Sequence, residues 1–207
     1  MRLSEKIGSI VDALFSIILL PLNVLGAIVS GVWLAILGEW AILLQGFLFM
    51  LFSGMLISFA LIPSLLLGGP ALIFLERGKR WIAMFFGSLS LIYVVALITI
   101  WCMWILDLFV GSVTTTTSII PLLIWSYGVA LGPWIWLAQK EQQQPGGNEY
   151  SLFTTFMAEI SYLTAMIMFF LKINYQFIVV TFALIMLVGM SIQLVSAFPK
   201  VTKDTQV

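Results

Sequence analysis

The sequence predicts an all-α integral membrane protein: a polytopic bundle of six transmembrane helices with an amphipathic N-terminal helix, and both termini cytoplasmic. Three observations predict it. Of 207 residues, 62% are hydrophobic and only 9% charged, whereas roughly a quarter of residues are charged in soluble domains. The charges sit in short clusters between long uncharged runs. Once those runs are read as spans, nearly all the basic residues fall on one side of the membrane. The chain has the size of a single bundle, one domain over residues 1–207.

Residues 1–20 place Glu5, Ser9, Asp12 and Ser16 at helical spacing opposite Leu3, Ile7, Ile10, Leu14 and Ile17, the pattern of an amphipathic helix. Arg2 and Lys6 ahead of an apolar run resemble a signal peptide, but no clean small-x-small site follows, so the segment reads as retained. From Ile7 to Gly38 the run would be roughly 48 Å long as a helix, against ~30 Å of hydrocarbon. A break at Pro21 removes the excess. It leaves an interfacial helix followed by a first span over 22–38; one long tilted helix is the alternative.

Glu39-Trp40 makes a turn, and the second span covers 41–62. The uncharged run continues to Leu75, roughly 53 Å if helical, again too long for one upright span. Pro63 and Gly68-Gly69-Pro70 punctuate the surplus, so residues 65–75 are expected to form an interfacial or re-entrant element. It leads into Glu76-Arg77-Gly78-Lys79-Arg80, the densest knot of charge in the chain.

The third span, 81–106, has Trp81 at one end and Trp101 and Trp104 at the other, as the membrane interface favours. A hydroxyl-rich connector, residues 111–118, leads to the fourth span, 119–138. Residues 139–150 form a hydrophilic cytoplasmic loop. The fifth span is 151–171, and the sixth, 177–198, follows a polar turn at Lys172. With the N-terminus inside, Arg2, Lys6, Arg77, Lys79, Arg80, Lys140, Lys200 and Lys203 face the cytoplasm and Lys172 alone faces out. The cell membrane, specifically a prokaryotic inner membrane, is the expected location.

Composition excludes much of chemistry. There is no His, which removes the commonest general base and metal ligand. Cys102 is the single cysteine. No phosphate-binding or dinucleotide Gly-rich loop is present. No cofactor, no metal and no enzymatic activity are therefore expected. Nine basic and nine acidic residues cancel, so no field recruits nucleic acid. The fourth span carries no cation and so is no voltage sensor. The expected partners are membrane lipid and either further copies of the chain or another membrane protein.

The informative residues are polar groups placed where burial costs free energy. Glu159 lies about two turns into the fifth span, with Thr155 and Tyr162 on the same face. A charge at such a position costs on the order of 3 kcal/mol on insertion scales, so the carboxyl is neutral, paired or wet. Counted inward from the cytoplasmic side, Gln193 and Asn23 stand at similar depth. Asn23, Glu159 and Gln193, with Thr155 and Tyr162, therefore form a candidate polar path for an ion. A structural clasp between helices is the bland alternative. Glu39, Gln45, Asp107 and Lys172 collect at the opposite face, as an outer vestibule or simply as helix ends. The pairs Ala27/Gly31, Gly54/Ser58 and Gly128/Gly132 allow close helix approach, within the bundle or between copies.

Two functional classes remain: a small oligomeric channel or facilitator for ions or small solutes, and a non-catalytic accessory or scaffold subunit of a membrane complex. A lipid-modifying enzyme is disfavoured, because the carboxylates are divided between the two sides.

Overall fold

A computed structural model describes residues 18, 20–111, 119–142 and 149–204, and all its regular structure is helical. In chain order the helices are α1 (Leu20–Ile36), α2 (Trp40–Ala60), α3 (Ile62–Glu76), α4 (Arg80–Leu106), α5 (Ile119–Gln142), α6 (Glu149–Phe170) and α7 (Tyr175–Asp204), and a π turn over Asp107–Gly111 closes α4. Five stretches are long and apolar enough to cross a membrane: Trp40–Glu76, Arg80–Val110, Ile119–Ala138, Phe153–Phe170 and Tyr175–Leu194. A sixth, Pro21–Ile36, is apolar but shorter. The amphipathic segment expected over 1–20 and the hydroxyl-rich connector lie almost wholly outside the described residues.

Three of the tight turns end their helices in the same way. At Gly38, Gly78 and Lys172 the backbone turns left-handed, with φ of 80°, 71° and 57°. Across each, the next residue's N–H reaches back five residues: Glu39 to Leu34, Lys79 to Phe74 and Ile173 to Met168. This closure satisfies the last carbonyls of a helix, and glycine is its usual residue because a Cβ strains the conformation. Lys172 adopts it without that freedom. Two residues on, Asn174 Oδ1 accepts the N–H of Gln176 at 2.9 Å and caps the start of α7.

The largest departure from expectation is at residues 62–76. They form the helix α3, separated from α2 by Leu61 alone, itself right-handed helical in backbone. Pro63 falls in the first turn of α3, where its missing N–H leaves no helical bond unmade. Gly68-Gly69-Pro70 lies inside the helix instead of breaking it. Contacts with α4 keep one direction throughout. Phe49 meets Trp104, Tyr93 Oη donates to Ala60 O at 2.8 Å, Ser90 Oγ donates to Ser64 O at 3.0 Å, and Phe74 stacks on Phe86. The chain therefore runs antiparallel to α4 from Trp40 to Glu76 and reaches the basic turn without doubling back.

Smaller corrections concern helix ends. Pro21 sits inside the first turn of α1, where proline is tolerated. Helix α5 continues past 138 to Gln142, and α6 starts at Glu149. The helical residues reach further into 139–150 than expected because Gln, Lys and Glu are good helix formers. Helix α7 likewise continues beyond Pro199 to Asp204.

Helix α5 is the hub. Two thirds of its span is buried (67%), against 11% for the α2–α3 rod, and it packs on α1, α2, α4 and α6. Its small residues make this possible. A Cβ added at Gly128 would stand 2.8 Å from the Ala27 Cβ of α1, so the two backbones meet there as small-residue pairs allow. The Trp125 ring fills the space between Gly31 of α1 and Gly46 of α2, where an added Cβ would lie 3.2 Å and 2.5 Å from ring atoms respectively. Trp101, expected in an interfacial belt, is half-buried and donates its Nε1–H to Ala130 O of α5 at 3.0 Å. By contrast Gly54 and Gly132 have no atom within 4 Å of an added Cβ.

Candidate functional site

Glu159 is fully buried in α6, at 0% exposure, and neither carboxylate oxygen has a hydrogen-bond partner among the described residues. Its surroundings come from three helices. From α6 itself come Thr155, buried one turn earlier, and Tyr162, buried one turn later. From α5 come Ser126 and Tyr127, both buried. From α1 comes Asn23, 5% exposed, whose Nδ2 donates to Tyr127 O at 3.5 Å.

The two tyrosines part company here. Tyr162 Oη donates to Ser126 Oγ at 2.9 Å, and Ser126 Oγ donates on to Leu123 O at 2.7 Å. That chain is complete and ties α6 to α5. The Tyr127 ring lies 6.0 Å from the Tyr162 ring, tilted by 44°. Its hydroxyl is buried beside the Asn23 side chain, its nearest polar neighbour, and within electrostatic reach of Glu159. The Glu159 carboxyl thus faces a tyrosine of the neighbouring helix with neither of its own oxygens bonded. Buried polar groups are otherwise almost always satisfied.

Asn23, Glu159 and Tyr162 thus lie about Tyr127, with Thr155 one turn from Glu159, and Gln193 lies farther along the bundle. Gly189 packs against Met157, and α6 and α7 are antiparallel, so Gln193, four residues beyond Gly189, is level with Phe153. That is about 9 Å along the axis from Glu159. The expected match in depth fails because helix ends do not lie at one level. The turn at 171–174 sets the register, and Glu159 is nearer to it than Gln193.

The outer residues do not converge in the same way. Glu39 is half-buried in the α1–α2 turn, Gln45 is exposed on α2, Asp107 is exposed at the π turn, and Lys172 is exposed at the α6–α7 turn. Asp107 lies near Tyr175, whose hydroxyl donates to Met103 O at 3.0 Å. These contacts hold the end of α4 to the start of α7.

Sequence reasoning missed Tyr127 and Ser126. A tyrosine in the middle of a span, away from the interfaces tyrosine favours, was the available signal. No group of three or more Cys, Asp or Glu side chains suited to a metal occurs among the described residues. No family model, no curated protein and no solved structure matches this chain.

Proposed function

We propose that this chain is a small facilitator that passes a proton or small cation across the membrane, with Glu159 as the group that takes it up. One observation carries the reading: a fully buried carboxyl, in an apolar helical bundle, with both oxygens unpartnered. A structural clasp would present a hydrogen-bond partner from a neighbouring helix to those oxygens, as Ser126 of α5 does by accepting from Tyr162 of α6. At Glu159 the missing partner is instead supplied by an exchangeable proton or by the ion itself.

In this scheme Asn23 and Tyr127 are the helpers. The Tyr127 hydroxyl, beside Asn23 and Glu159, is placed to donate to the carboxylate when its ion leaves. Asn23, its amide N–H on the Tyr127 carbonyl, ties α1 to this site. Thr155 lines the same face one turn along. The six-span topology with both ends cytoplasmic, a cell-membrane location in a prokaryote, assembly of several copies and the lack of catalysis belong to the same reading.

The test is flux through protein reconstituted in liposomes, measured for protons and monovalent ions, with wild type beside Glu159→Gln. The amide keeps the shape but holds no exchangeable charge, so flux is expected to fall to that of protein-free liposomes while folding and oligomer size are unchanged. Equal flux in both proteins refutes the role of Glu159. No flux in either shifts the weight to an accessory subunit.

A further inference from the structure

Away from the Glu159 cluster, a groove of about 540 Å³ runs between α2 and the end of α5. Its long wall runs from Leu51 on α2 to Ile62 at the start of α3, about 16 Å at the helical rise. That is the depth of one leaflet, half of the ~30 Å hydrocarbon core. Leu51, Met55 and Ile62 are 63%, 58% and 45% exposed, so the wall is bare hydrocarbon. The floor is open because Gly54 and Ser58 are small. An added Cβ at Gly54 would meet nothing within 4 Å, and the Ser58 hydroxyl is turned back onto Gly54 O at 2.7 Å.

One end of this apolar channel is charged. Lys140 lines it, its Nζ 5.2 Å from the centroid of the Trp136 ring, which holds the ammonium over the groove. No acidic side chain is among the lining residues. The groove thus offers a leaflet-deep hydrocarbon slot with a single cation at its mouth. We propose that it binds a phospholipid with an anionic headgroup, one acyl chain lying along α2 over Gly54 and the phosphate on Lys140. The length fits a chain of one leaflet. The sign of the charge fits a phosphate rather than an amine, and the indole beside the lysine sits where headgroup meets tail.

The experiment uses full-length protein purified in detergent, exchanged into nanodiscs of phosphatidylcholine with or without phosphatidylglycerol, and read by native mass spectrometry for retained lipid. Wild type is expected to retain phosphatidylglycerol in preference to phosphatidylcholine. Lys140→Gln, an exposed position, is expected to reduce that preference about fivefold. Gly54→Leu, which enters open space and should leave the fold intact, is expected to abolish retention of both lipids. Retention that neither variant changes overturns the proposal. So does a dimer that the Met55→Cys variant cross-links through position 55 and that Gly54→Leu disperses, since a second copy would then occupy the groove.

Discussion

Replacing Glu159 by methionine is expected to stabilise this protein. The side chains are similar in length and unbranched at Cβ, so the packing among Thr155, Tyr127 and Tyr162 need not move. No neighbour loses a hydrogen bond, because both Glu159 oxygens are unpartnered among the described residues. What is removed is the desolvation penalty of a buried, unsatisfied polar group, about 2 kcal/mol. Insertion scales, which penalise a mid-helix charge by ~3 kcal/mol and favour apolar side chains, point the same way. The assay is reversible unfolding of wild type and variant in mixed micelles, followed by circular dichroism. A gain in stability joined to loss of flux is the signature of a site kept for function at the expense of stability. A loss of about 1 kcal/mol or more would refute the reasoning, because it would mean that the carboxyl holds helices together.

Other expectations rest on different contacts. Gly46→Leu should destabilise by about 2 kcal/mol, since its side chain would overlap the Trp125 ring, and the same unfolding assay reads it. Gly54→Leu, with nothing within 4 Å, should leave stability within about 0.5 kcal/mol of wild type. Lys172→Gly should stabilise by roughly 0.5–1 kcal/mol, by relieving a left-handed backbone that a side chain strains. Tyr162→Phe removes one interhelical hydrogen bond while Ser126 keeps its bond to Leu123 O, so a loss of only about 0.6 kcal/mol is expected. A loss above 2 kcal/mol would show that the pair supports more than itself.

Much of this was legible in the sequence, for reasons that differ by residue. Glu159 announces itself because burying a carboxyl in hydrocarbon is costly wherever the helix lies. Helices α4 to α7 follow from the lengths of their apolar runs, and the turns at Gly38 and Gly78 from glycine's freedom at positive φ. Thr155 and Tyr162 share a face with Glu159 by helical spacing alone. None of these properties requires knowing which helix lies beside which.

Relations between helices were decided only by packing. Tyr127 joins the site because α5 turns that face towards α6 while Gly128 lets α1 in close, a rotation that no periodicity encodes. Gln193 falls out of it because the 171–174 turn fixes the α6–α7 register, and a displacement of six residues moves a side chain by about 9 Å. Pro63 and Pro70 read as a break in the chain, yet α3 stays helical along α4, where Ser90 bonds the Ser64 carbonyl. A single sequence specifies what each helix must bury and where each can turn. The depth and rotation at which two helices meet are set by side-chain contacts from both, which appear only when the bundle is assembled.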